Sequence, residues 1–350
     1  MEKKLEKTEQ KLLQNFLVIT FVATFVLGII IYFAKIKGLA LMDFALFQMF
    51  LPAFGAIIAI LISDLDLEKT TKNFYRLYII VTAIIFVATI FEFVAKDMRL
   101  ANYIVLIASL VFFFVIIFQD KSKKEVANLN RRSFKEGTKA VLTFIAIYII
   151  VAAISLALDG ELENFIKSFK ANKIIYLLIV IINFFLSFLP FLGEEYGWRF
   201  FLQPILQKKY GMRMGLILVG LIWGVWHLPL NLFFYSASGT ELASFIKQIL
   251  GCIALAIFLG YAYTKAGSIW VPTIIHYLNN NLAVLFSDNL DPNVIENVSI
   301  TWSDVVLSAA ILLLTYGLFI FTKYDSDDKY RVPSVYERFK VLEDDGEEKV

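Results

Sequence analysis

The sequence predicts an all-α fold, a polytopic transmembrane helical bundle of about ten spans. Three observations predict it. Of 350 residues, 59% are hydrophobic and only 18% charged, whereas soluble domains lie nearer half apolar and a quarter charged. Mean hydropathy is +0.71, and Phe alone supplies 34 residues. Apolar runs of about 20 residues recur along the chain, the length a helix needs to cross a bilayer. A helix satisfies its own backbone hydrogen bonds in lipid, and a closed barrel would show shorter, alternating segments.

The spans follow in order. Phe16–Phe33 comes after a mixed-charge start, without a small-residue cleavage site directly behind it, and reads as a first span rather than a signal peptide. Leu39–Ile62, Tyr75–Val94 and Ala101–Phe118 follow, then a basic loop from Lys121 to Lys139. Ala140–Leu158 and Ile174–Leu192 come next, the latter running directly into two carboxylates. Met214–Tyr235 contains Pro229, which removes a backbone donor and should break that helix locally. Leu242–Tyr263, Ser268–Phe286 and Asp304–Phe321 complete the set. The expected organisation is an accessory set of N-terminal helices over 1–139, a core over 140–321, and a polar, solvated tail over 322–350.

Charge sets the orientation. With the N-terminus inside, 24 Lys and Arg fall on the cytoplasmic side and eight on the other, leaving Arg199 at a membrane edge. The expectation is N-in and C-in. A net charge of +2 excludes a strongly basic nucleic-acid binder. The one cysteine, Cys252, excludes an intrachain disulfide or a CxxC site. Any histidine chemistry must use His227, His276 or both.

Three polar clusters interrupt the apolar pattern, and ionisable groups within spans are functional candidates by default. The first runs from Phe191 to Arg199 and holds Glu194 and Glu195. Adjacent helical positions point about 100° apart. Glu195 can pair with Arg199, four residues on, which leaves Glu194 to face elsewhere. Taken alone, a charged helix end with a snorkelling Arg explains this cluster as well. The second cluster, Trp223 to Pro229, places His227 inside a span. A histidine bonded to a neighbouring helix is its plainer explanation. The third holds His276 and Asn280 on one helix face, with Asn279 and Asn281 beside them. Three amides exceed what interhelical glue requires.

Topology lets Glu194, His227 and His276 meet in one cavity opening to the cytoplasm. Glu plus two His is a donor set for zinc with an open position for water, and such an ion lowers the pKa of the water it binds. Asn280 can donate to a developing oxyanion. Without a metal, Glu194 can activate water directly while a histidine assists. The helical HExxH pattern is absent, which excludes the ordinary zincin arrangement.

The ordered motifs Glu-Glu-x-x-x-Arg (Glu194, Glu195, Arg199), aromatic-x-x-x-His (Trp223, His227) and His-x-x-x-Asn (His276, Asn280) resemble those of the CPBP or Abi intramembrane proteases. That family includes type II CAAX prenyl proteases and bacteriocin-processing enzymes. The resemblance implies an endopeptidase with its site inside the membrane. It implies Glu194 as the water-activating base, His227 and His276 as metal ligands or catalytic partners, Asn280 as oxyanion stabiliser, and Glu195 with Arg199 as support. Zn2+ is the expected cofactor, with a metal-free glutamate mechanism as the alternative. The implied partners are membrane lipid and a membrane-associated protein or peptide substrate, with no nucleic acid. A prokaryotic plasma membrane is the expected location. Trp223 stands where the family commonly carries Phe. The first five spans match no motif, and a non-catalytic immunity or scaffold protein, or a transporter, remains an alternative.

Overall fold

The computed structural model describes residues 5–65, 72–91, 95, 100–130, 133–169, 171–286, 290 and 294–340. The protein is an all-α helical bundle. The N-terminal half contributes α1 (Lys7–Ile36), α2 (Met42–Gln48), α3 (Leu51–Leu61), α4 (Lys72–Phe91), α5 (Leu100–Phe118), the short α6 (Lys121–Val126), α7 (Phe134–Leu158) and α8 (Leu162–Ser168). Then come α9 (Ala171–Glu195), a π-helical turn (Tyr196–Leu202), α10 (Gln203–Tyr210) and α11 (Met212–Trp226). A three-residue α12 (Leu228–Leu230) leads into a second π turn (Asn231–Tyr235). After it come α13 (Glu241–Ala266), α14 (Trp270–Leu285), α15 (Trp302–Thr315) with a 3-10 turn (Gly317–Phe321), and α16 (Lys323–Ser326).

Among the described residues, eight helices are long and apolar enough to cross a membrane, and a bent pair makes a ninth. That is one fewer than the ten predicted. The difference is α14, whose 16 residues reach only about 24 Å at 1.5 Å per residue. It cannot begin earlier, because Gly267 ends α13 in the left-handed region at φ +64 and its N–H caps the Tyr263 carbonyl. Along α9, Ile174, Ile175, Leu178, Ile181 and Ile182 are exposed. In water such a stripe would be unfavourable; against lipid it is the solvated face.

Breaks within the spans position the site. The predicted span Leu39–Ile62 is divided between α2 and α3. The α9 helix leaves helical geometry at Ser187 (φ −140, ψ 18), three residues before Pro190. Pro190 has no N–H for the preceding turn, and the Ser187 hydroxyl bonds the Asn183 carbonyl at 2.8 Å. The helix then continues beyond the predicted end at Leu192, through the π turn to Tyr210. Pro229 acts as the sequence predicts: the chain bends by 42° between Met212–Trp226 and Leu228–Tyr235.

The tail departs from expectation. Residues 341–350, with the acidic end of the tail, lie outside the described residues. From 322 to 340 the chain is folded back onto the bundle rather than solvated. Val335 and Phe339 are buried. The Ser334 hydroxyl donates to Glu9 Oε1 at 2.7 Å, and Lys208 Nζ lies 2.6 Å from Glu9 Oε2 and 3.3 Å from Glu337. Arg331 grips Glu337 through both Nη atoms at 2.8 and 2.9 Å. Burial pushes Glu337 up, but hydrogen bonds from Arg331 and the Ser334 N–H, with Lys208 nearby, outweigh it and hold the carboxyl down at about 2. Asp325 has no such help: both its oxygens are buried without a hydrogen-bond partner, and burial pushes it up to about 8. The apolar neighbours that draw this segment inward are separated in the sequence by polar residues, which is why it reads as a solvated tail.

Candidate active site

The π turn after α9 starts at the residue following Glu194 and Glu195. π turns are rare and concentrate at functional sites. Both carboxylates are buried, at 2% and 0% exposure, and they face different partners, as their angular offset requires. Glu194 Oε2 accepts the indole N–H of Trp223 at 2.7 Å. Glu195 lies between two cations or potential cations. Its Oε1 is 2.8 Å from His276 Nδ1, and its Oε2 is 3.1 Å from Arg199 Nε. The second contact is an ion pair off the N–H axis, since neither atom has an aligned hydrogen bond. The guanidinium also stacks 4.9 Å over the Trp223 ring.

His227 caps α11 at the bend. Its Nδ1 is 2.9 Å from the Trp223 carbonyl. A carbonyl can only accept, so Nδ1 carries a proton, and in the neutral form of the ring Nε2 is the acceptor. Asn231 donates to the His227 carbonyl at 3.0 Å and accepts from Ser244 at 2.8 Å. Cys252 is buried; its Sγ lies 3.8 Å from His227 Nδ1 and accepts from Gln248 Nε2 at 3.3 Å. The rings of Trp223 and His276 meet edge to face at 5.4 Å, and those of Trp223 and His227 are tilted at 5.9 Å. Trp223 thus touches Glu194, Arg199, His227 and His276.

Five of the six predicted residues therefore form one cluster: Glu194, Glu195, Arg199, His227 and His276. Asn280 is not tied into it. It is exposed, and its side chain accepts from Asn279 at 3.1 Å. Asn281 bonds back to the Tyr277 carbonyl at 2.9 Å, so the amide run serves its own helix in part. Trp223 as a donor to Glu194, and Asn231 four residues after His227, escaped the sequence reading. The i,i+4 spacing of Asn231 from His227, the same as in His276/Asn280, was the available signal.

Zinc asks for donors converging on one point. Among the described residues no three His, Cys, Asp or Glu side chains are grouped to hold a metal ion. The expected set of Glu194, His227 and His276 belongs to one cluster but does not form that grouping.

The walls come from both halves of the chain. A Cβ built on Gly193 would lie 2.7 Å from the Met49 carbonyl oxygen, and one on Gly197 would lie 2.7 Å from Pro52 C. Only glycine allows the start of α3 to approach the site helix so closely.

Comparison with known proteins bears out the resemblance read from the motifs. Residues 175–282 match the family described as type II CAAX prenyl endopeptidase Rce1-like. A relative, CAAX prenyl protease 2 of Methanococcus maripaludis, is 25% identical over 203 residues, covering 55% of this chain and 70% of that one. No solved structure matches the chain.

Proposed function

From a chain whose residues 175–282 match the Rce1-like endopeptidases, we propose an intramembrane endopeptidase that hydrolyses a peptide bond in a membrane-associated substrate, of CaaX-type prenylated or bacteriocin-like chemistry. The observation that carries this reading is the paired carboxylates. Glu194 is buried and oriented by the Trp223 indole at 2.7 Å. Its neighbour Glu195 is committed to Arg199 and His276. One carboxylate is thus left for chemistry while the other organises the site.

In this reading Glu194 takes a proton from water as the water oxygen attacks the scissile carbonyl. Negative charge then develops on the carbonyl oxygen. The imidazole of His276, held through Nδ1 by Glu195 as in a carboxylate–histidine pair, is assigned to stabilise that charge when protonated at Nε2, or to relay the Glu194 proton to the departing amine. His227 is the second candidate for that role, and Asn280 is assigned to the oxyanion once substrate orders its exposed side chain. When the C–N bond breaks, the proton taken by Glu194 reaches the new amine, so atoms and charge balance. Zn2+, were the donors to converge, would use Glu194, His227 and His276 and supply a more acidic water. The site is proposed to open to the cytoplasm of a prokaryotic plasma membrane, with residues 140–321 as the catalytic core.

The experiment is a digest followed by mass spectrometry. Protein in lipid vesicles is incubated with a mixed peptide set that includes prenylated C-terminal peptides, alongside Glu194→Ala. Cleavage by the unaltered protein alone supports the reading and gives the bond preference. No cleavage by folded protein overturns it in favour of an immunity or scaffold role.

A further inference from the structure

We infer that Gln48, at the end of α2 and outside the stretch matched by the family, is a positioning residue for the hydrolytic site, acting through the peptide that joins Trp226 to His227. The inference rests on the reading above. Its first support is a hydrogen-bond count at the α11 bend. A helix end leaves its last carbonyls without partners, and inside lipid each must find one. The Trp223 carbonyl receives the His227 ring at 2.9 Å. The Gly224 carbonyl receives the His227 N–H at 3.1 Å. The His227 carbonyl receives both the N–H and the side-chain amide of Asn231, each at 3.0 Å. The Trp226 carbonyl receives Gln48 Nε2 at 3.0 Å, from 178 residues away in the chain. Gln48 and Asn231 therefore hold the carbonyls on either side of the His227 α-carbon.

The orientation of the Gln48 amide is fixed by this contact, because a carbonyl accepts only from the nitrogen end. Its Oε1 is then buried with no hydrogen-bond partner among the described residues, and Gln48 itself is fully buried. An unpaired buried acceptor is a cost. A methionine of similar shape would avoid it, so the position bears that cost in exchange for the bond to Trp226.

The second support is what adjoins Gln48. The α2–α3 break runs from Met49 through Phe50. A Cβ on Gly193, just before Glu194, would meet the Met49 oxygen, and one on Gly197, two residues after Glu195, would meet the Pro52 backbone in the first turn of α3. The Tyr78 hydroxyl bonds the Phe50 carbonyl at 3.3 Å. One short segment, residues 48–52, thus bears on the Glu194 helix at one side and on the His227 bend at the other. It acts as a spacer between a candidate base and a candidate proton carrier.

The test uses the full chain in vesicles and needs no foreknowledge of substrate for half of its readout. The chain has two histidines, so diethylpyrocarbonate labelling read by mass spectrometry reports each separately. In Gln48→Met we expect His227 to label several-fold faster and His276 at the unaltered rate. With the peptide cleaved best in the digest, we expect kcat to fall about tenfold with KM unchanged, the size of one lost hydrogen bond. In Gln48→Glu, cleavage relative to the unaltered protein should recover as the pH falls, because only the protonated acid can donate to Trp226. Thr89→Val, which removes another buried N-terminal hydrogen bond, should change neither readout. Equal His227 labelling and equal kcat in Gln48→Met overturn the inference. So does a fall in melting temperature with kcat intact, which marks a purely structural role. If the unaltered protein cleaves nothing, the proposed function fails, and the labelling ratio still decides the role of Gln48.

Discussion

Trp223 and Glu194 are 29 residues apart in the chain and 2.7 Å apart in space, indole N–H to carboxylate oxygen. The aromatic position of the second motif is therefore more than a packing element. It delivers a donor that aims the candidate base, and its ring contacts both histidines.

Trp223→Phe keeps the ring and removes that donor. A hydrogen bond to a charged group is worth about 1.5–3 kcal/mol. A fall in kcat of roughly tenfold or more is expected, with little change in KM. Steady-state kinetics on the best peptide from the digest check it. Unchanged kcat would mean that the indole does not orient Glu194 during turnover.

Glu194→Gln, His227→Ala and His276→Ala are each expected to abolish cleavage while the protein keeps its size-exclusion profile and helical circular dichroism. Full activity in any one of them removes that residue from the mechanism.

Glu195 and Arg199 are fully buried and 3.1 Å apart. Removing one partner strands the other charge, at a cost of about 3–5 kcal/mol. Arg199→Met should therefore lower the melting temperature sharply, and adding Glu195→Gln should restore part of the loss. A double-mutant cycle reads the coupling. Additive losses would show that the two do not act as a pair.

Asp325 lies outside the membrane spans, and burial pushes it up to about 8 from a usual 3.8. The folded protein thus holds a proton that the unfolded chain releases. Stability contributed by neutral Asp325 is full at low pH and declines as pH rises from about 4 to about 8. Asp325→Asn should melt higher than the unaltered protein at pH 8.5, and the gap should narrow toward pH 5. A constant gap would mean that Asp325 is already ionised in the fold.

The donor arrangement sets an expectation for metal as well. If Glu194, His227 and His276 hold Zn2+, dialysis against a strong zinc chelator should abolish cleavage; cleavage that survives would leave Glu194 to activate water without an ion. Loss of activity restored by stoichiometric Zn2+ would show that the donors draw together when substrate or ion arrives.

Much of this was legible in the sequence because it is local. The spans follow from runs of apolar residues, the bend from Pro229, and the Glu195–Arg199 pair from i,i+4 geometry. The π turn was not legible, since nothing in Tyr196–Leu202 distinguishes a π from an α register before the helix packs. Nor was Gln48, because its bond closes over 178 residues and one glutamine in a span reads as an isolated polar residue. The exposure of Asn280 was hidden for the opposite reason. Helical spacing places it on the face of His276, but how far that face is covered depends on the neighbouring helices. The docked tail was misread because its contacts, Ser334 to Glu9 above all, join opposite ends of the chain.

That last contact bears on how the protein is made. Ser334 is synthesised 325 residues after Glu9. At 5–20 residues per second the interval is roughly 15–65 s. Throughout it, the carboxylate of Glu9 must wait at the membrane edge, first with water and then with Lys208. The Glu9 cluster is therefore complete only once residue 334 has been made, and a ribosome stalled before it would leave the Glu9 carboxylate without the Ser334 hydroxyl.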